Sequence, residues 1–424
     1  MEPLTIFEHD RVYYSTRKEL QDPRVIQRIR ELNRSYNFKN EDDGIFTLYA
    51  DYLKAKSYVG FAFLDSLQIQ VLPKIYRNEQ ELEEKKKAEA LAVFLKMLDI
   101  SYNLGIKEKE LTKLLQMGLQ NGLHEVFIYL FAKTLWKEIE RGYYREYVEV
   151  QSEEKFFRGK LLLTRQIRKL PHQIHTFSVE YYDFTEDNLL NRIFYATTLL
   201  ALRKTRLNIN KKLLSQLILI FSDVIPTKIL KSHVERIHFT RLNERFKVPF
   251  NLAVILLFGF GGIFGEEKTF GFFVDMNHLF QKYVYEAIKK EFSQYEVKEE
   301  EYIGNLVPNK GISVRPDIVI KKDNKIKLIV EVKYKEISED ELIKSCDLYQ
   351  IYAYSRRADT DVVLIYPKRE NFNEWLTKEE LEFFDNHKIV ILPFDLSEIP
   401  KQKDRVVLPR EIKDTIEEIL KTFS

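Results

Sequence analysis

Val314-Arg315-Pro316-Asp317, followed by Ile329-Val330-Glu331-Val332-Lys333, is the stretch on which the fold turns. In the first piece an acid follows a proline; in the second an acid and a lysine interrupt an apolar run. Between them Lys322-Asp323-Asn324-Lys325 reads as a turn, so 318–320 and 327–332 read as neighbouring strands. Side chains alternate along a strand, so residues 329, 331 and 333 share one face. Glu331 and Lys333 therefore point together, with Val330 and Val332 opposite. Asp317, at the end of the adjacent strand, approaches the same point.

Two neighbouring carboxylates repel and favour protonation of one, unless a divalent cation intervenes. Magnesium prefers hard oxygen ligands and retains water. Asp317 and Glu331 are the expected ligands, with the carbonyl of Val332 as a third and manganese as the alternative ion. Such a centre lowers the pKa of a bound water and stabilises charge on a scissile phosphate. Lys333 then orients that water or stabilises the pentavalent state electrostatically. The plain alternative is a surface hairpin with a salt-bridged Glu–Lys face.

From Cys346 the chain reads Cys-Asp-Leu-Tyr-Gln-Ile-Tyr-Ala-Tyr-Ser-Arg-Arg. Gln350 and Tyr354 are four apart and share a helix face. They are expected near the metal, on DNA backbone or a catalytic water, with Arg356 and Arg357 available to phosphates. An ordinary amphipathic helix with exposed arginines is the competing reading. Upstream, 276–289 reads as a helix, with Leu279, Phe280, Tyr283, Val284 and Ala287 along one side and Asp275 as its cap. Downstream, 361–366 reads as a central strand, 389–394 as an edge strand and 411–420 as a closing helix. These elements make one α/β layer with its site at the sheet edge.

The remaining chain is more ambiguous. At 424 residues it is long enough for two or three cored domains. Lys plus Arg exceeds Asp plus Glu by two, so any nucleic-acid surface must be local rather than global. The lone cysteine, Cys346, excludes an intrachain disulfide framework and a thiolate zinc cluster. The start, MEPLTIFEHD, lacks the pattern of a secretion signal, and the apolar run 252–258 is too short to span a bilayer. A cytoplasmic protein without membrane contact is expected.

Residues 58–63 and 67–72 read as strands with Asp65-Ser66 turning between them, and 81–98 and 124–141 as helices. Gly142 ends the second helix, and 143–150, 159–164 and 174–182 are strand candidates. This apolar-poor segment carries Arg145, Lys155, Arg158, Lys160 and Arg165. It is either a solvated hairpin or an arm that docks on an acidic or phosphate-bearing partner. Helices resume near Asn188 and again over 213–221, and 250–258 should be buried. The glycine-rich 259–271 fails as a nucleotide loop, because two glutamates separate Gly265 from Lys268-Thr269. Any nucleotide hydrolysis therefore belongs to a partner. The expected divisions are 1–141, β-rich and helical; 142–185, a basic β finger; 186–258, a helical linker; and 259–424, the α/β domain.

The acid-acid-lysine pattern resembles the PD-(D/E)xK nuclease superfamily, and Gln350 with Tyr354 resembles the Q-x-x-x-Y element of its RecB-like branch. A longer set is similar to the McrC family: 272–280 (FFVDMNHLF), Arg315-Pro316-Asp317, Glu331-Val332-Lys333-Tyr334-Lys335 and Asp347-Leu348-Tyr349-Gln350. Tyr58-Val59-Gly60, Leu72-Pro73-Lys74-Ile75, Arg158-Gly159-Lys160 and Asn191-Arg192-Ile193 also fit, so the resemblance spans about 55–395. It implies a restriction-endonuclease-like C-terminal domain in the nuclease subunit of a type IV, modified-cytosine-directed restriction system. It also implies an McrB-like AAA+ GTPase hexamer as partner, which binds the GTP, and double-stranded modified DNA as substrate. The N-terminal region would bind that ring and stimulate hydrolysis. Segment 142–185 would be a finger entering the pore, with Arg145, Arg158, Lys160 and Arg165 as contacts. The family usually has a glutamate after Leu279-Phe280; here Gln281 stands, a neutral candidate ligand. Two other functions fit the residues: a partner-independent RecB-like exonuclease, and an inactive nuclease-fold adaptor of an AAA+ ring.

Overall fold

The computed structural model describes residues 3–36, 44–64, 67–74, 83–173, 175–259, 270–307, 310–335, 345–368, 379–383, 387–400 and 408–422. The Asp65-Ser66 turn, Ile75, Ile174 and residues 260–269 of the glycine-rich stretch lie outside them. The chain forms two compact units, one discontinuous (Met1–Leu123 with Gly271–Ser424) and one continuous (His124–Phe270). Segments 142–185 and 186–258 both fall in the second. It is a mixed α/β protein with several sheets. No helix among the described residues is long and apolar enough to cross a membrane.

In the first unit a four-stranded sheet runs in the order Leu4–Phe7, Leu67–Leu72, Tyr58–Leu64, Phe270–Asp275. Leu4–Phe7 is parallel to Leu67–Leu72, which is antiparallel to Tyr58–Leu64. The last strand comes from some two hundred residues downstream, and Gly60 lets it approach. A Cβ there would lie 1.9 Å from the Phe272 carbonyl oxygen. The Pro23–Ser35 helix starts with Asp22, whose side chain accepts from Arg24 N, and with proline at its first position. Its Val25, Ile29 and Leu32 recur at helical spacing and are fully buried against the sheet's apolar face.

Phe270–Asp275 leads directly into the Met276–Glu291 helix, where the Asp275 side chain accepts from Asn277 N at 2.9 Å. The expected face is the buried one: Leu279, Phe280, Tyr283, Val284 and Ala287 are all inside. Beside it lies a six-stranded sheet in the order Glu296–Glu299, Ile318–Lys322, Lys325–Val332, Val362–Pro367, Lys388–Phe394, Glu379–Glu382. Each of the first three strands is antiparallel to its neighbour. Lys325–Val332, Val362–Pro367 and Lys388–Phe394 are parallel, and the Ser345–Ala358 helix makes the first crossover. The hairpin joining Ile318–Lys322 to Lys325–Val332 turns through Asp323 and Asn324, both with positive φ, 53° and 61°.

The strand expected over 389–394 is not at the sheet edge. Lys388–Phe394 is internal, because Glu379–Glu382 pairs on its outer side. Its buried run Ile389, Val390, Ile391 and Leu392 is that of a strand covered on both faces.

In the second unit Leu123–Glu140 is followed by Glu146–Glu154, which pairs antiparallel with Phe177–Thr185 over nine positions. Lys160–Leu161 adds a short third strand. Gly142, φ 131°, supplies the left-handed residue just after the helix. The helices Leu189–Lys204, Asn208–Ile220 and Lys247–Gly259 complete the unit. Asn188 caps the first, accepting from Asn191 N. Phe127, Phe131, Phe194, Phe221 and Phe246 are fully buried in it.

Candidate functional site

Sheet geometry brings the two acids together. Ile318 pairs with Val330 across the antiparallel hairpin, which puts Asp317 beside Glu331 and Val332. The backbone binds each carboxylate to the other strand. Val332 N donates to Asp317 Oδ2 at 2.8 Å, and Asp317 N donates to Glu331 Oε2 at 3.3 Å. Ile329 packs against Ile351 of the Ser345–Ala358 helix, so Glu331, two residues on, faces the same helix. That helix presents Gln350 and Tyr354, one turn apart.

The result is a continuous hydrogen-bonded network. Lys333 Nζ donates to Glu331 Oε1 at 2.6 Å and to Gln350 Oε1 at 3.2 Å. Gln350 Nε2 donates to Glu331 Oε1 at 3.1 Å and to Tyr354 Oη at 2.6 Å. Tyr354 Oη donates onward to the Arg315 carbonyl at 3.4 Å. Asp317, Glu331, Lys333, Gln350 and Tyr354, singled out from sequence, thus lie in one place.

The electrostatics are those of a site short of positive charge. Burial, then the neighbouring Glu331 carboxylate, push the Asp317 carboxyl well above its ordinary range. Glu331, 1% exposed, is also raised by burial, against the pull of Lys333. Burial disfavours the charge on Lys333, but the Glu331 and Asp317 carboxylates outweigh it, so the ammonium holds its proton more firmly than usual. A divalent cation would relieve the carboxylate pair. Among the described residues no group of three or more His, Cys, Asp or Glu side chains could hold one. Two carboxylates and a carbonyl nonetheless suit magnesium, which keeps several waters.

The other candidates are not members of this hydrogen-bonded network. Gln281 does not reach the pair; its amide meets Glu300 Oε1 at 3.5 Å, and Glu300 N donates to the Asp317 carbonyl at 3.0 Å. Arg356 and Arg357 are exposed at the end of the same helix as Gln350. In the second unit Arg145 pairs with Glu186, Arg158 with Asp183 at 3.1 Å and Lys160 with Glu180 at 3.6 Å. Arg165 is exposed and has no side-chain partner among the described residues. Contrary to the expectation of an apolar-poor segment, its surface carries large apolar groups: Phe156 and Ile167 are each 81% exposed, and Leu163 63%. Counting charges hid those apolar groups.

Sequence reasoning missed Glu8. It is fully buried, and its Oε2 accepts from Tyr334 Oη at 2.8 Å and from Lys74 N at 3.0 Å. Burial, with Asp275 adding to it, pushes its carboxyl up to about 8 against the opposing Tyr334 and Lys74 hydrogen bonds. Tyr334 follows Lys333, points to the opposite face and packs against Phe280. The signal was present in the alternation Leu4, Ile6, Glu8, whose first two members are core residues.

With this geometry in hand, comparison with known proteins is specific. The family model for "McrBC 5-methylcytosine restriction system component" matches residues 53–367. A chain of the refined half-complex from a tetradecameric assembly of Thermococcus gammatolerans McrB AAA+ hexamers with bound McrC is 35% identical. It superposes with a TM-score of 0.70, covering 98% of this chain and 100% of that one. A chain of the Thermococcus gammatolerans McrBC complex solved by cryo-EM is 42% identical, TM-score 0.54, over 69% of this chain and 89% of that one. No curated protein matches. A family match over well more than half the chain, with these structures, places the chain in the family of McrBC 5-methylcytosine restriction system components, as a McrC-type member.

Proposed function

We propose that this chain is the DNA-cutting subunit of a GTP-dependent restriction complex directed at modified cytosine, a type IV endonuclease subunit of PD-(D/E)xK type. The observation that carries the reading is the unbroken network from Asp317 through Glu331, Lys333 and Gln350 to Tyr354. Such an array is costly to bury without a ligand, because both carboxylates are held above their ordinary range. Asp317, Glu331 and the Val332 carbonyl would hold magnesium, or manganese in its place, which would lower the pKa of a bound water and offset charge on the phosphate.

The side chains divide the remaining work. Lys333 stays an ammonium, so it acts as a fixed positive charge and hydrogen-bond donor rather than as a base. Two of its three N–H groups are engaged by Glu331 and Gln350, leaving one for a phosphate oxygen. Gln350 holds Lys333 and Glu331 in register, and Tyr354 fixes the Gln350 amide. Arg356 and Arg357 take flanking phosphates of duplex DNA.

Thermococcus McrC is bound to McrB AAA+ hexamers in the related assembly. By that relationship this chain docks on an McrB-like AAA+ GTPase ring, which binds the GTP and recognises the modified base. The paired strands Glu146–Glu154 and Phe177–Thr185, with the segment between them, serve as the finger that stimulates the ring. Exposed Phe156, Leu163 and Ile167 support a protein partner for it. The test combines this chain, its AAA+ partner, methylated plasmid, magnesium and GTP, then omits each in turn. Cleavage that needs every component, lost in Asp317→Ala and Lys333→Ala while GTPase stimulation persists, is the expected result. Cutting of free DNA ends without the partner would instead indicate an exonuclease.

A further inference from the structure

Gly304–Val307 and Ile312–Val314 pair with each other as a separate two-stranded ribbon, and the second strand runs straight into Arg315-Pro316-Asp317. Between Tyr302 and Arg315 the chain contains no carboxylate. Tyr302 and Leu306 are half exposed, 49% and 52%. The Arg315 guanidinium lies over the Tyr302 ring, 5.5 Å from its centroid, and donates to the Glu300 carbonyl at 3.5 Å.

The ribbon is held to the catalytic helix at two places. Tyr354 Oη meets the Arg315 carbonyl, and the Arg357 guanidinium lies directly against Gly304. A Cβ on Gly304, where φ is 131°, would come within 2.2 Å of Arg357 Nη2. Only glycine allows that approach. Neither Arg315 nor Arg357 has a carboxylate partner among the described residues. Arg145, Arg158 and Arg192, by contrast, are paired with Glu186, Asp183 and Asp187.

Two guanidinium groups braced by a ring and a bare backbone, with their charge unspent, are prepared for anions. Little side-chain freedom remains to be lost when a phosphate arrives. An exposed tyrosine among such cations suits contact with the phosphates and sugars of a nucleic-acid backbone. The position decides the occupant, because Arg315 is two residues from Asp317 and Arg357 is one turn from Tyr354.

We infer that the Gly304–Val314 ribbon is a DNA-holding wing of the active site: Arg315 and Arg357 grip phosphates flanking the scissile one, and Tyr302 packs on the nucleotide between them. This rests on the nuclease reading and adds Arg315, Tyr302 and the ribbon itself to Arg357, already assigned to phosphate contact.

The test uses the full chain with its AAA+ partner and a labelled methylated duplex, in calcium for binding and in magnesium for cleavage. Arg315→Gln and Arg357→Gln should each weaken binding about tenfold, the loss of one charge-assisted hydrogen bond. Each should also make the slope of log affinity against log salt shallower by about one. In cleavage the loss should fall mainly on KM. A photoreactive p-benzoylphenylalanine at position 302 should crosslink to the duplex, and one at the exposed Tyr49 should not. Unchanged affinity and salt slope in both arginine variants, or no crosslink at 302, while the parent complex binds and cuts, overturns the wing and leaves the nuclease reading intact. A parent complex that neither binds nor cuts overturns both.

Discussion

The Gln350 amide donates to Glu331 Oε1 at 3.1 Å, and its other end accepts from the Lys333 ammonium that holds the same carboxylate oxygen. Gln350 therefore fixes the angle between acid and amine, and Tyr354 fixes Gln350 in turn. Gln350→Ala should lower cleavage by roughly 10- to 100-fold, the usual cost of removing a supporting group behind a metal ligand. Gln350→Glu should be worse, because it sets a third carboxylate against a pair already reluctant to ionise. Tyr354→Phe should cost less than Gln350→Ala, since it removes the 2.6 Å acceptor of Gln350 Nε2 but leaves that amide bonded to Glu331 and Lys333. Cleavage rates with GTPase stimulation as the internal control check the ranking; equal rates for Gln350→Ala and the parent would remove the amide from the mechanism.

Glu8 ties the N-terminal sheet to the strand end beyond Lys333 through Tyr334. Its carboxyl is pushed up to about 8 by burial, and Tyr334, Lys74 and Asp275 are the groups that face it. The folded value lies above the unfolded one, so the folded state holds the proton more tightly. Stability from this group is fully present below the unfolded value and falls as pH rises towards about 8, where the loss levels off. Glu8→Gln keeps an acceptor for Tyr334 and has no proton to lose. Its unfolding free energy relative to the parent should therefore climb between pH 5 and pH 8, by an amount of the order of a few kcal/mol at most, with Tm rising in the same direction. A pH-independent difference would mean that Glu8 does not titrate there.

How far the sequence could be read depended on the range of each interaction. The Asp317–Glu331 pairing was legible because a two-residue turn and strand alternation are local rules, and both were written within sixteen residues. Asp275 as a cap and the apolar face of Met276–Glu291 were legible for the same reason. Recruitment of Phe270–Asp275 into a sheet with Tyr58–Leu64 was not, since only tertiary packing joins them. Glu8 and Tyr334 are 326 positions apart. The Gly304–Val307 strand was hidden by its own composition, glycine and asparagine being poor strand formers. Where Gln281 lies relative to the acids depended on how the helix packs against the loop at Glu300, which no spacing encodes.

The turn that opens the hairpin carrying the two acids is itself testable; a register shift between Ile320 and Lys321 lies between it and them. Asp323 and Asn324 both adopt left-handed backbone, as a two-residue hairpin of the primed type requires. Asn324→Gly should stabilise the fold slightly or leave it unchanged, because glycine accepts φ of 61° without strain. Asn324→Val should cost about 1–2 kcal/mol, the penalty of a β-branched residue in left-handed conformation. Urea midpoints measure both. The valine variant should also cut more slowly, since slippage by one residue sends Glu331 to the opposite face. Equal midpoints for all three proteins would show that left-handed backbone at position 324 carries no stability cost for a β-branched residue.

The four cations proposed for the ring-binding finger differ in what each must give up to engage a partner. Arg145, Arg158 and Lys160 already neutralise Glu186, Asp183 and Glu180, and Arg158 also lies over the Tyr181 ring at 4.0 Å. To engage a partner each must first give up an internal contact, a cost of up to about 1 kcal/mol for an exposed pair. Arg165 has no such contact to break, and it sits among exposed Leu163 and Ile167. Arg165→Ala should therefore reduce stimulation of the partner's GTPase most, by about tenfold for one lost charge-assisted bond. Changes at Arg145 and Lys160 should stay within about threefold, because the attraction they lose is partly offset by the internal pair they no longer break. Leu163→Ser and Ile167→Ser should weaken partner binding with Tm shifted little, since neither side chain is packed in this chain. A larger loss at Arg158 or Lys160 than at Arg165 would mean that the ring pulls these internal pairs apart when it closes on the finger.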